Sequence, residues 1–382
     1  MPRSECLVDS TSRVKSPALK DHVFRLGELF CGPGGFGHAA DMASRVINGS
    51  RYRIEHAWAN DIDQDSCNTY LKNFSSSTSS PLALRKDIRK VNFAKDLPKA
   101  IDALTFGFPC NDFSIVGEQK GLTGHYGPLY TYGIAAVKHF KPKWFIAENV
   151  GGLRNANDGG ALGKILADLK ALNPSYRITP HYYKFEEYGV PQTRHRVIIV
   201  GIRSDLNKTF RVPRPTHKGN YVSVRDALKD IPLDALNQEF TRQSPVVSKR
   251  LALIKPGQNV WTADLPKHLQ LNVKGARLSQ IYKRLDPNKP AYTITGSGGG
   301  GTHVYHYAEP RALTNRERAR IQTFKDSYIF TGSKESVRKQ IGMAIPPLGV
   351  KQIIEAIFLT LAGVAYPAID SDWDEILSAR PR

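Results

Sequence analysis

Cysteine is scarce in this chain: Cys6, Cys31, Cys67 and Cys110 are the four in 382 residues. So few cannot frame a fold through disulfides, and a reducing, intracellular compartment is the expectation. None stands in a C-x-x-C pair and no histidine cluster accompanies them, which argues against a structural zinc site and any other metal. Long apolar runs are missing too. The opening "MPRSECLVDSTSRVKSPALKDH" has no apolar core of signal-peptide length. No later stretch reaches the ~20 apolar residues of a membrane span. A soluble, cytoplasmic chain with a flexible N-terminal tail over 1–22 follows. Acidic residues are in deficit, 35 against 54 Lys and Arg, for a net charge of +19 and a pI near 9.7. That excess favours a polyanionic partner, because each phosphate neutralised releases counterions. A basic solvated face with no partner is the bland alternative. No internal repeat is visible.

What is present is a rhythm of short apolar runs and helical periods. "RLGELF" (25–30) reads as a buried strand, followed by the glycine turn "CGPGGFG" (31–37) and the helical segment "HAADMASRVI" (38–47). "RIEHAWAN" is a second strand, and "QDSCNTYLKNF" an amphipathic helix. "AIDALTFGF", "PKWFIAEN", "YRITPHYYKF" and "RHRVIIVGI" supply further strands, with helices near 128–140 and 160–172. Strands alternating with helices predict an α/β domain over 23–202 with a doubly wound, mostly parallel sheet. Residues 203–292 lose that rhythm and are rich in Pro, Lys and Arg. Seventeen basic against seven acidic residues give this stretch a net charge of +10. It reads as a smaller, irregular, basic domain. The glycine run "GSGGGG" and the helical "TNRERARIQTF" fall in a supporting segment, 293–348. The apolar "GVKQIIEAIFLTLAG" opens the segment 349–366 and is expected to pack back on the first domain, before a tail over 367–382.

The candidate chemistry gathers at strand ends. A glycine turn between strand and helix lets backbone approach a nucleoside near a helix N-terminus. Asp61, ending the second strand, is placed to bond ribose hydroxyls. Asp87, after the third, is placed to accept from an adenine amine. These features fit an adenosine-containing cofactor, NAD or S-adenosylmethionine. The turn reads G-x-G-G-x-G rather than the dinucleotide G-x-G-x-x-G, which tilts the reading from NAD. Cys110 follows Pro109 at the end of the fourth strand, where open α/β sheets carry active-site groups. A thiol there is already partly thiolate at neutral pH, and cationic neighbours would increase that fraction. Glu148 ends the next strand in "FIAENVGG"; a carboxyl so placed is paired, protonated or functional. Arg194 and Arg196, two apart in "YGVPQTRHRVIIVG", are expected to project from one side of an incoming strand. Each residue alone has an ordinary structural explanation; their convergence on one sheet edge does not.

With these stretches in view, the sequence resembles the DNA cytosine-5 methyltransferases. The likeness runs through "LFCGPGGF", "GFPCNDFSIVGEQKGL", "ENVGGL", "YGVPQTRHRVIIVG", "LTNRERARIQTF" and "IGMAIPPLGVKQI", in the family's order. It implies an S-adenosylmethionine-dependent fold and a bacterial restriction–modification enzyme that methylates C5 of a flipped-out cytosine in double-stranded DNA. Cys110 would attack C6 to form a covalent intermediate, and Glu148 would bond N3 and the exocyclic amine. Arg196 would support charge near O2, with Arg194 steadying the catalytic loop. The cofactor, leaving as S-adenosylhomocysteine, would be held by Phe30, Gly32, Pro33, Gly34, Gly35, Phe36, Asp61, Ile62, Asp87, Ile88 and Pro109. Residues 114–127, with Asn111 and Ser114, would form the loop that closes on the base. Residues 203–292 would recognise the target, and Arg316 and Glu317 would organise that region. A cognate restriction endonuclease and a monomeric state complete the implied picture. Two departures stand out: Tyr126-Gly127 where the family often has Arg-Gly, and Gly342-Met343 where it usually has Gly-Asn. A tRNA-directed member with the same chemistry and a DNA-binding protein without catalysis are the alternatives. The amino-methylating enzymes are excluded, since "FPCN" is not their (D/N/S)PP(Y/F) motif.

Overall fold

The computed structural model describes residues 19–74, 82–108, 129–154, 159–272 and 278–372. The first half follows the expected rhythm: β1 (Lys20–Leu29), α1 (Gly35–Met42), β2 (Arg45–Ile47), β3 (Ser50–Asp61), α2 (Gln64–Phe74), β4 (Leu82–Arg85), α3 (Phe93–Asp96), β5 (Ala103–Gly107), α4 (Tyr130–Phe140), β6 (Trp144–Val150), α5 (Gly160–Lys170) and β7 (Tyr176–Lys184). Then come β8 (Gln192–Thr193), β9 (His195–Arg203), β10 (Val212–Pro213), α6 (Val224–Ala227), α7 (Pro245–Leu253) and β11 (Ala291–Tyr292). The chain closes with α8 (Asn315–Ile321), α9 (Lys334–Met343), α10 (Pro347–Ala362) and β12 (Ala368–Ile369).

The main sheet runs β2-β3-β1-β5-β6-β9-β7, with β4 also beside β3. Pairs β3–β4, β1–β3, β1–β5 and β5–β6 are parallel, while β9 is antiparallel to both β6 and β7. The strand expected in "RHRVIIVGI" therefore reverses direction. No crossover helix separates it from β7, and without one the chain can only return antiparallel. The order turns around between β1 and β5, so their carboxyl ends flank the crevice where open α/β sheets bind ligands.

Two other expectations change at element ends. The helix expected over 38–47 stops at Met42, and β2 folds back on β3. Asn48 and Gly49 both take positive φ, the pair a tight hairpin turn prefers after β-branched Val46 and Ile47. Residues 20–22, assigned to the tail, are strand, because they pair with Ser50, Arg51 and Tyr52.

One face of the sheet is covered by α1 and α10 around Phe24, Leu26, Trp144, Ile354 and Phe358. The other carries α4 and α5 around Leu104, Phe145, Val137 and Leu166. By length and composition the helical stretch Lys334–Ala362 could cross a membrane, but 67% of its most apolar window is buried inside the fold. Its apolar face is the partner of the sheet. Met343 ends α9 and Pro346 is the N-cap of α10, which starts with proline at N1, a position that needs no amide donor.

Candidate active site

β1 delivers the chain to the crevice and then has to turn sharply. Phe30, Gly32 and Gly34 all take positive φ; Gly34, at 93°, is the N-cap of α1. A side chain on Gly34 would meet the Phe74 ring at 2.5 Å, so conformation and packing both demand glycine there. The turn is held from below by residues far off in sequence. The Tyr328 hydroxyl donates to the Pro33 carbonyl, and Ile345 packs beneath Gly35. From the side, the Gly32 amide donates to Asp61 Oδ2 at 2.8 Å and the Asp63 amide to Asp61 Oδ1 at 2.9 Å. Burial pushes the Asp61 carboxyl up from its usual range. Each oxygen keeps a second lone pair, so accepting a ribose hydroxyl is compatible with bracing the loop.

The other residues assigned to the cofactor divide. Ile62 is 61% exposed at the crevice, an apolar side chain awaiting cover. Phe30 is half-buried at the rim of the lower core. Asp87 caps the turn Ile88–Lys90 and is gripped by Arg89, which holds its carboxyl below the usual range. Ile88 and Phe36 are buried in the two core clusters, so their side chains act in packing. Among the described residues no group of three His, Cys, Asp or Glu could hold a metal ion.

β5 and β6 build the second half of the site. Gly107 pairs with Glu148 across them, and a Cβ on Gly107 would lie 3.0 Å from Glu148 Oε2. Glycine there leaves the carboxyl room to lie over the strand end. On the neighbouring strand β9, Arg196 reaches back so that its Nε sits 2.8 Å from Glu148 Oε1. Arg196 also donates from Nη1 to the His195 carbonyl. Both side chains are nearly enclosed, 15% and 11% exposed, which strengthens their attraction over that of a surface pair. Pro109, Cys110, Asn111 and Ser114, with the loop 114–127 and Tyr126, lie outside the described residues. The chain enters that stretch from β5 through Phe108, whose carbonyl accepts from Asn149 Nδ2 at 3.0 Å.

Arg194 takes a separate course. It lies in the break between β8 and β9, where strand alternation no longer governs direction, and it is buried. Its terminal nitrogens donate to the carbonyls of Ile294 at 2.9 Å and Gly342 at 3.0 Å. Both acceptors belong to the segment 293–348. Gly342 presses on Thr295 and Gly296, while Met343, the departure noted in sequence, is 66% exposed. Arg316 donates to the carbonyls of Leu236, Lys325 and Tyr328, and Glu317 accepts from Arg311 and the Thr314 amide.

Several contributors escaped the sequence reading. Asn149 stands beside Glu148 in the quoted "ENV", and a polar residue ending a buried strand was the available signal. Asn60 similarly ties β3 to the chain after β4 through the carbonyls of Leu84 and Lys86. Beneath the turn, buried Glu28 accepts from the Tyr70 hydroxyl at 2.6 Å, and His56 bridges Tyr70 and Asp41 at 3.1 and 2.9 Å. Burial alone would lower the His56 pKa, but its hydrogen bonds to the carboxylates of Asp41 and Glu28 outweigh it and hold it at about 9. No sequence spacing joins these four residues.

Comparison with known proteins agrees with this geometry. The profile of the C-5 cytosine-specific DNA methylases matches residues 24–359. The type II methyltransferase M.BbvI of Brevibacillus brevis is 56% identical over 357 residues, covering 92% of this chain and 95% of its own. M.NgoFVII of Neisseria gonorrhoeae, also a type II methyltransferase, is 41% identical, covering 79% and 80%. A prophage-encoded Escherichia coli chain assigned as a DNA modification methyltransferase shares the fold. It superposes with a TM-score of 0.67 over 89% of this chain and 99% of its own, at 24% identity. A match of that span, a relative of that identity and a site at the switch point of the sheet meet in one conclusion: the chain belongs to the C-5 cytosine-specific DNA methylases and is a DNA (cytosine-5-)-methyltransferase of restriction–modification type.

Proposed function

We propose that the protein uses S-adenosylmethionine to methylate C5 of a cytosine flipped out of duplex DNA, through a covalent bond from Cys110 to C6. The observation that carries this reading is the Glu148–Arg196 pair, 2.8 Å apart and nearly enclosed, beside the strand end that leads to Cys110. C5 of cytosine is a poor nucleophile until C6 is attacked. Cys110 thiolate adds there, and the electron pair it pushes into the ring needs a fixed partner. Glu148 supplies hydrogen bonds to N3 and the exocyclic amine, and Arg196 holds Glu148 in register and adds positive charge near O2. With the methyl then on C5, the proton that C5 carried would leave to a base, the C6–S bond would break to return the Cys110 thiolate, and the ring would be restored as 5-methylcytosine.

The glycine turn, Asp61 and exposed Ile62 fit an adenosine-bearing cofactor: a free lone pair for the ribose and an apolar wall for the base. Bound there, it supplies an electrophilic methyl on a sulfonium centre and leaves as S-adenosylhomocysteine. Asp87 would contact the adenine amine while still held by Arg89. Residues 203–292 read the target in duplex DNA. The enzyme acts as a monomer in the bacterial cytoplasm, and its mark protects host DNA from a cognate endonuclease.

The test uses purified protein, tritiated S-adenosylmethionine and unmodified bacterial genomic DNA, followed by bisulfite sequencing. Methyl at C5 within one short recurring motif, abolished in Cys110→Ser, is expected. Transfer to tRNA and not to DNA would replace DNA as the substrate. Wild-type activity in the serine variant would remove the covalent step.

A further inference from the structure

Arginines buried after residue 203 have their donors occupied. Arg284 donates to the carbonyls of Leu251, Ile254, His306 and Tyr307; Arg316 donates to three carbonyls; Arg250 donates to Leu269 and lies over the Tyr282 ring. Arg318, on α8, breaks the pattern. It is 2% exposed, yet its guanidinium makes no hydrogen bond or ion pair with the described residues. The adjacent Glu317 favours the charged form but makes no hydrogen bond to it, since both carboxylate oxygens accept from Arg311 and one also from the Thr314 amide. Burial pushes the Arg318 pKa down to about 10, which still leaves the side chain charged at neutral pH.

More positive charge faces it. Arg338 and Lys334 come from α9, and His303 from the residue pair that follows the glycine run. Burial and then the charges of Arg318, Arg338 and Lys334 drive the His303 pKa down to about 4. Two further nitrogens in this cluster, His303 Nδ1 and Arg338 Nε, are buried without a hydrogen-bond partner. The opposing carboxylates are Glu317, already bonded to Arg311, and Glu335, which is exposed. Glu317 compensates this nearly enclosed guanidinium only in part, and an anion from outside would supply the hydrogen bonds it lacks among the described residues. The approach is open: at Gly299 and Gly300 nothing lies within 4 Å of where a Cβ would stand. Bare backbone there lets a bulky anionic chain come close. A guanidinium fork matches a phosphate group in geometry as well as charge.

We propose that Arg318, with Arg338 and His303, receives one phosphodiester of the DNA backbone as it passes the glycine run. This rests on the DNA-methylating reading above. The protein free of DNA carries the guanidinium without those hydrogen bonds, and DNA binding supplies them.

The experiment compares full-length wild type with Arg318→Met, a side chain of similar length without charge. Binding of fluorescent duplex DNA is measured between 50 and 200 mM salt, and melting is recorded in phosphate-free buffer with and without inorganic phosphate. Losing one phosphate contact lowers the slope of log K against log salt by about 0.9, so that fourfold rise in salt weakens the variant about threefold less than wild type. The variant is expected to melt no lower than wild type without DNA. Arg338→Gln, at a less buried position, is expected to reduce the slope in the same direction, which keeps the test open should Arg318→Met misfold. An unchanged slope in both variants overturns the proposal. So does a lower melting temperature for Arg318→Met with the wild-type slope, because the arginine then serves only the fold. Inorganic phosphate that raises wild-type melting while the DNA slope stays unchanged would give the site to free phosphate, against the DNA assignment. Wild-type protein that binds no DNA would sink the enzyme's reading rather than this one.

Discussion

In the sheet half of the chain, interior contacts are made by carbon. Phe24 stacks on Phe358, Trp144 packs beneath, and α10 lays Ile353, Ile354 and Ile357 against the strands. Between Arg203 and Leu313 the apolar clusters are small, one around Val224, Leu285 and Ile294 and one around Leu251, Ile254 and Tyr305. The rest of the binding there is done by arginines reaching into carbonyls. The difference follows from secondary structure. A sheet pairs its own carbonyls, whereas helices of four residues and strands of two leave many unpaired, and a buried carbonyl must find a donor. Five donors on one guanidinium meet that need at several positions together. Part of the positive charge of 203–292 is therefore structural, and the net charge of the region overstates what is left for a polyanionic partner.

Three measurements would sharpen or break this contrast. Phe358→Ala opens a cavity at the centre of the carbon core and should cost about 3–5 kcal/mol. Denaturation followed with bound cofactor and DNA should show both binding activities lost together. Survival of cofactor binding at full stability would mean that α10 is dispensable to the sheet. Arg284→Met removes a donor shared by four carbonyls, of which Leu251 keeps the Ile254 amide, and should cost about 3 kcal/mol. Its expected signature is selective: limited proteolysis cuts within 203–292 and DNA binding falls, while cofactor affinity is kept. Loss of both would show that the two halves do not unfold separately.

The third measurement concerns the polar network of Glu28, Tyr70, His56 and Asp41 beneath the glycine turn. His56 in the fold has a pKa of about 9, above the ordinary value of 6.5. A raised folded pKa stabilises fully below the unfolded value and is lost as pH climbs through the folded one. Wild type should thus lose about 2–3 kcal/mol between pH 6.5 and 9 that His56→Gln does not lose. Parallel melting curves for the two proteins across that range would dismiss the network as a source of stability.

The order of strands and helices in the first half was legible because each element carries its own period. α2 spans the residues read from its amphipathic pattern, and β3, β6 and β7 fall within a few residues of the runs that announced them. Glu148 was legible as a carboxyl closing a buried strand, and Asp61 as an acid after a second one. Direction and partnership were not. Whether β9 runs with or against β6 depends on what lies between it and β7. Whether Arg194 joins Glu148 or the segment 293–348 depends on a two-residue strand ending just before it.

By itself, then, the sequence determined the alternation that builds the sheet, the positive balance, and the positions where a carboxyl and a glycine turn meet strand ends. These are local properties, set by side-chain period, backbone freedom and charge. Tertiary structure alone decided that Arg196 lies 2.8 Å from Glu148, that Asp61 braces the turn, and that Arg318 is buried without a hydrogen bond to the described residues. Each of those depends on which distant backbone fills the space around a side chain, and only packing of the whole chain settles that.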